Sequence, residues 1–384
     1  MKNITLYILF MLTPTFLSPL PAQEHHIENV SWHIAAQLPA TAGHTVSIGV
    51  AGAVSGSVHQ LLLVAGGTNF PAGMPWNGGK KEYHNEIFLY GKQGGQLILK
   101  PSLKPLKLPF NLAYAAVCST SNGIVVAGGE NESGLSKKVL LLHWKADELE
   151  ISYLPDLPVG LTNAALTQIG NILYLAGGET DNGATTQFLC FNPAAPAKGW
   201  VRVTDLPLPV SHMVLLSSGD NQIFLIGGRK SNKGSISTIY DQVFSYSIAQ
   251  QQWTEKQSLP YPLSAASGVA VGKDLLLISG DRGKTFHQAE QLIAEMNSEQ
   301  DPVKKEVLNQ KKIEVQSAHP GFSREVLKYD PSGNRWLKLK GTLPYGTVTT
   351  TAVISGDNIM IAGGEIRAGV RTPDILTGKI KFEK

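Results

Sequence analysis

Near the C-terminus a carboxylate and two guanidinium groups crowd one short loop. The stretch Ile361-Ala-Gly-Gly-Glu-Ile-Arg-Ala-Gly-Val-Arg371 holds Glu365, Arg367 and Arg371. A carboxylate held ionised by a neighbouring guanidinium can take a proton, and a guanidinium can grip a second acid through two parallel hydrogen bonds. The same residues can also form a plain structural ion pair, so the loop gains meaning only from its surroundings.

A second loop carries complementary chemistry. Gly67-Thr-Asn-Phe-Pro-Ala-Gly-Met-Pro-Trp-Asn-Gly-Gly-Lys-Lys-Glu-Tyr83-His84 offers Asn69, Lys80, Lys81, Tyr83 and His84 beside Phe70 and Trp76. Cations suit a carboxylate, amides suit hydroxyls, and flat rings suit sugar faces. Glu365 and Arg371 are therefore the candidate catalytic pair. Asn69, Lys81, Tyr83, His84, Arg367, Arg229 and Arg282 are the candidate substrate contacts. The ten histidines show no close ligand pair except His25-His26, so the sequence calls for no metal, and nothing in it asks for another cofactor.

Internal repeats say how such distant loops could meet. An apolar run ending in glycine recurs as Leu63-Val-Ala-Gly-Gly67, Val125-Val-Ala-Gly-Gly129, Tyr174-Leu-Ala-Gly-Gly178, Phe224-Leu-Ile-Gly-Gly228, Leu277-Ile-Ser-Gly280 and Met360-Ile-Ala-Gly-Gly364, at spacings of 62, 49, 50, 52 and 84 residues. Each run is preceded by a stretch of small and β-branched residues and followed by a polar loop and an alternating strand, such as Asn85-Glu-Ile-Phe-Leu-Tyr90. A fourth strand follows, marked by Trp and a downstream Leu-Pro: Trp200 with Leu206-Pro207, Trp253 with Leu259-Pro260, Trp336 with Leu343-Pro344. A repeat near 50 residues with this grammar resembles the kelch motif. The expected fold is an all-β, six-bladed kelch β-propeller.

The two ends of the chain extend that reading. After Gly364 there is room for one more strand, and Trp32-His-Ile-Ala-Ala-Gln-Leu38-Pro39 has the fourth-strand pattern, so the N-terminal strand is expected to close the last blade. The 84-residue spacing predicts an insertion in blade five over about 282–324. Its segments from His287 and from Asp301-Pro302 read as helices. A lid and a surface excursion are both open for it. Thr68, Glu130, Glu179, Arg229, Asp281 and Glu365 follow the glycines and would ring one mouth of the channel. For Glu130, Glu179 and Asp281 the expected task is bonding one blade to the next.

Composition bounds the rest. The chain has 384 residues, 42 % hydrophobic and 16 % charged, with a formal net charge of +3. It can bury a large core, and it has no basic stripe for nucleic acid. Lys2, an apolar run from Ile4 to Leu20 and Leu20-Pro-Ala22 before polar residues read as an export signal over 1–22, leaving 23–384 as a single domain. The expectation is a periplasmic or secreted protein without a membrane anchor. Cys118 and Cys190 lie in different repeats and are expected as buried free thiols.

Gly-Glu365 with Gly369-Val-Arg371-Thr-Pro-Asp374, and Asn77-Gly-Gly-Lys-Lys-Glu-Tyr83, together resemble the N-acetylneuraminate epimerases, the bacterial sialic acid mutarotases. The resemblance spans nearly all of residues 28–380. It implies a secreted six-bladed propeller acting on a small sugar acid, with Glu365 as proton acceptor and Arg371 as partner of the substrate carboxylate. The lysine-and-tyrosine loop precedes the Glu-and-Arg loop here, which looks like a cyclically permuted branch. The acid partner stays open among Tyr83, His84, His287 and a water. A non-catalytic carbohydrate- or protein-binding propeller is the alternative. A copper radical oxidase would need a crosslinked Cys-Tyr pair that the strand positions of Cys118 and Cys190 do not suit.

Overall fold

A computed structural model describes residues 27–41, 43–94, 96–102, 104–145, 148–219 and 221–383, so the export signal read over 1–22 lies outside the described residues. Six antiparallel sheets of four or five strands radiate from one axis. Their innermost strands are Val54–Val58, Ala116–Thr120, Ala165–Ile169, Val214–Ser218, Ser267–Val271 and Ala352–Ser355. Each touches the next and the last touches the first, which makes the fold a closed six-bladed β-propeller.

The repeated apolar runs are the second strands: Leu61–Ala65, Gly123–Ala127, Ile172–Ala176, Gln222–Ile226, Asp274–Ile278 and Asn358–Ala362. Both faces of such a strand are covered by neighbouring blades, which is why the runs are continuous rather than alternating. The core is accordingly split into six apolar clusters, one at each junction between blades. The outer-strand tryptophans serve those clusters. Trp200 stacks on Phe191 at 5.3 Å between ring centroids, Trp336 lies 4.9 Å from Tyr329, and Trp253 meets Phe188 at 5.1 Å.

The last sheet joins the chain's two ends. Ile27–Gln37 runs antiparallel to Asp374–Phe382, from Ile27 opposite Phe382 to Gln37 opposite Asp374. Between the second and third strands of blade five stand two helices, α1 (Lys284–Ser298) and α2 (Pro302–Ser317), the two α-helices among the described residues. Asp301 caps α2 by accepting from the Val303 N–H, with Pro302 in the first turn, where its missing N–H costs nothing. Glu290 of α1 accepts from the N–H and hydroxyl of Ser237, fastening the helix to the loop of blade four. Neither helix is long and apolar enough to cross a membrane. Cys118 and Cys190 are free and half-buried rather than fully buried.

The glycine pairs are sites of close approach. Gly364 has φ +97°, and a Cβ there would stand 2.1 Å from Thr347 Oγ1 and 2.8 Å from the Val348 carbonyl. Gly364→Ala is expected to cost about 2–4 kcal/mol from backbone strain and overpacking together. A thermal melt measures it, and an unchanged midpoint would refute the packing argument.

Candidate active site

Every residue that follows the repeated apolar run and its closing glycine is fixed by a two-way backbone bridge to the residue just ahead of the inner strand: Ala51 to Thr68, Ala113 to Glu130, Thr162 to Glu179, Ser211 to Arg229, Ser264 to Asp281 and Val348 to Glu365. One residue further on, Gly52, Tyr114, Asn163, His212, Ala265 and Thr349 all adopt left-handed backbone, with φ from 52° to 67°. That turn aims each N–H at the carbonyl of the preceding blade. The N–H of Tyr114 donates to Gly52 (2.8 Å), Asn163 to Tyr114 (2.9 Å), His212 to Asn163 (3.0 Å), Ala265 to His212 (2.8 Å), Thr349 to Ala265 (3.4 Å) and Gly52 to Thr349 (2.7 Å). Six hydrogen bonds of one sense thus close a ring around the axis. Below it the inner strands enclose a cavity of about 420 Å³. Beside it, on the side of the post-glycine residues, the charged groups gather.

Glu365 and Arg371 lie at the junction of blades six and one. Arg371 Nη2 is 3.2 Å from Glu365 Oε2, and the arginine side chain is only 5 % exposed against 20 % for the glutamate. The guanidinium lies over the ring of Phe70, 4.5 Å from its centroid, and Gly369 packs against Met74 and Trp76, so the two loops singled out in the sequence do meet. Arg371 Nε and Nη1 are buried and have no hydrogen-bond partner among the described residues. Burial raises the Glu365 carboxyl above its ordinary range; Arg371 and the Gly369 N–H, which donates to Glu365 Oε1 at 3.0 Å, pull it back only in part. The site therefore holds a base of raised basicity beside a cation with two free donors.

The other candidates divide. Lys81 Nζ and the Tyr83 hydroxyl both bond Glu130 Oε1, at 3.0 and 2.7 Å, tying blade one to blade two beside Tyr114, whose ring centroid is 5.2 Å from Lys81 Nζ. Arg229 donates to His212 Nε2 (3.2 Å) and lies 4.7 Å under the ring of Phe286 from α1. Since arginine can only donate, His212 carries its proton on Nδ1, facing Ser211 Oγ, whose hydroxyl donates to Glu179 Oε1 (2.8 Å). Burial and the Arg229 charge keep His212 neutral, with its pKa well below the ordinary value.

Asn69 and His84 spend their side chains on one another and on the Gly49 carbonyl, both in the interior. Arg367 is exposed, and its charge is felt at His319 near the end of the insertion. Arg282 turns to Glu325 (2.7 Å) and stacks on Tyr261 in a separate pocket at the base of the insertion. Asn69, His84 and Arg282 thus spend their side chains on other partners, while Arg367 stands on the same hairpin as Glu365 and Arg371 with its own side chain exposed. Glu130 and Glu179 do link neighbouring blades, and Asp281 accepts from the Gly283 N–H ahead of α1. Among the described residues no three His, Cys, Asp or Glu side chains gather as metal ligands.

Tyr114 and His212 were missed by sequence reasoning. Their one signal is a shared repeat position just ahead of the inner strand, where Gly, Asn, Ala and Thr stand in the other blades.

Comparison with known proteins follows the same outline. A family model described as N-acetylneuraminate epimerase matches residues 21–151 and 154–384. The chain is similar to the N-acetylneuraminate epimerase of Haemophilus influenzae (strain PittEE), 24 % identical over 187 residues, which is 48 % of this chain and 49 % of that protein. It is 23 % identical to N-acetylneuraminate epimerase 1 of Escherichia coli O6:H1 over 189 residues, 49 % of this chain and 50 % of that one. With the N-acetylneuraminate epimerase of Vibrio vulnificus (strain YJ016) the identity is 35 % over 130 residues, 31 % of this chain and 32 % of the other. The chain thus spans about half the length, or less, of these curated relatives.

Proposed function

This chain belongs to the N-acetylneuraminate epimerase family, and from that premise we propose that it interconverts the α and β anomers of N-acetylneuraminate or a closely related 2-keto sugar acid. The observation that carries this reading is Arg371, buried, with Nε and Nη1 unpartnered beside the Glu365 carboxylate. A substrate carboxylate on those two donors places the adjacent anomeric carbon next to a base. Glu365 takes the proton of the anomeric hydroxyl, the bond from that carbon to the ring oxygen breaks, and the ketone forms as the ring oxygen gains a proton. Rotation of the opened chain and the reverse steps give the other anomer. Phe70 and Phe286 supply flat apolar surfaces, and Arg229 a further cation.

The N-terminal strand, in this reading, is what closes the ring and so keeps the blade-six and blade-one loops together. The helical insertion, fastened through Glu290 and carrying Phe286, forms a wall of the mouth. An exported, periplasmic setting follows from the signal-like residues 1–22.

Proton NMR tests the activity: α-N-acetylneuraminate is released by a sialidase, and the appearance of the β form is timed with and without the protein. Acceleration supports the reading. Binding of the sugar with no acceleration would replace it by a carbohydrate-binding propeller.

The raised basicity of Glu365 gives a pH signature. Catalysis needs the ionised carboxylate, so the rate should fall as pH drops, with its midpoint above the ordinary carboxylate range. A pH–rate profile measures this. A midpoint at or below that of a free glutamate would show that Glu365 is not the titrating base.

A further inference from the structure

The proposed reaction needs a proton donor for the ring oxygen, and the hydroxyl and imidazole groups around the mouth can be accounted for one by one. The Tyr83 hydroxyl is given to Glu130 Oε1. His84 is engaged with Asn69, and the His212 proton faces Ser211. His287 Nε2 is buried against the bare face of Gly283, under the insertion. Tyr345 gives its hydroxyl to Asp374, and Tyr261 gives its own to Glu325.

Tyr114 differs from all of these. It belongs to the ring of six left-handed residues around the axis, and its aromatic ring lies across the bare face of Gly52, toward blade one. A tyrosine held at φ 56° is costly backbone, and such positions repay a search for function. The charges of Arg371, the guanidinium that also holds Glu365, and of Glu365 itself are felt at its hydroxyl. Lys81 lies 5.2 Å from its ring centroid. Arg371 and Lys81 thus both stand near the phenol, and among the hydrogen bonds of the described residues none takes up its hydroxyl hydrogen, which is left to be donated.

We propose that Tyr114 is the general acid of the anomer exchange, donating its hydroxyl proton to the ring oxygen while Glu365 accepts the proton of the anomeric hydroxyl. This rests on the mutarotase reading of the same site. On opening, the bond from anomeric carbon to ring oxygen breaks, its electron pair stays on that oxygen, and the Tyr114 proton joins it. The anomeric O–H pair becomes the second bond of the ketone and its proton moves to Glu365. The enzyme is left with phenolate and carboxylic acid, and ring closure on the other face returns both protons. Arg371 and Lys81 hold the transient phenolate. Burial, with Glu365 adding to it against the pull of Arg371, pushes the Tyr114 hydroxyl up to about 12, so the donor is protonated throughout the neutral range.

The test compares wild type with Tyr114→Phe in the NMR assay, alongside calorimetric binding of the β anomer. The expected result is a loss in kcat of about a hundredfold or more with the dissociation constant unchanged within a few fold. The residual rate should rise with the concentration of buffer acid, a dependence wild type lacks, because solution acid then does what the hydroxyl did. A purely structural tyrosine would change binding without creating that dependence. Tyr114→Phe within threefold of an active wild type overturns the acid assignment and leaves the mutarotase reading standing. A wild type with no acceleration overturns both.

Discussion

Glu365→Gln is expected to lower the anomer-exchange rate by about a hundred- to ten-thousandfold, the usual contribution of a positioned general base, and to melt no earlier than wild type. The two halves have one cause. Burial favours the neutral carboxyl in the folded protein despite Arg371 and the Gly369 N–H. Because the folded-state pKa is raised, the stabilisation it confers is complete below the unfolded value and is lost as pH rises through the folded value. Glutamine is neutral throughout, so the variant's stability relative to wild type should grow between acid and neutral pH. Paired melts at several pH values together with NMR rates check both statements. A variant that stays active would remove Glu365 as the base; one that melts far below wild type at neutral pH would mean that the ion pair with Arg371 outweighs the burial.

Arg371→Ala should discriminate among ligands. Two charge-assisted hydrogen bonds to a substrate carboxylate are worth about 3 kcal/mol together, so affinity for sugar acids should fall roughly a hundredfold or more. The corresponding neutral sugars, lacking the carboxylate, should lose little. Calorimetric titration with an acid and its amide or reduced analogue separates the cases. An equal loss for both would make Arg371 a packing residue for Phe70 and Glu365 rather than a carboxylate partner.

The architecture was legible because it is written six times. Glycine after each buried second strand answers to one steric need, the close approach seen at Gly364, and the outer tryptophans answer to one packing need, an aromatic neighbour on the third strand. The meeting of Arg371 with Phe70 was legible for the same reason, since a closed ring brings the last blade to the first. What did not show was how polar side chains divide their hydrogen bonds. Asn69 and His84 have the composition of substrate contacts, yet each satisfies the other, and no spacing rule distinguishes an amide facing a mouth from one facing a histidine. Arg282 follows the blade-five signature closely but finds Glu325 beyond an insertion of two helices, a contact only the folded chain defines. Tyr114 and His212 stayed hidden because what their position shares around the ring is a left-handed backbone, which Gly, Asn, Ala and Thr occupy in the other blades.

The six hydrogen bonds around the axis have a bearing on traffic. They form a collar of backbone at the boundary between the mouth carrying Glu365 and the cavity lined by the inner strands. In the proposed reaction a sugar that reaches Glu365 from the mouth can leave by the door it came in. Both anomers would then compete for a single berth, and each should inhibit the conversion of the other with its own dissociation constant. For a catalyst that only hastens an equilibrium, one doorway is enough.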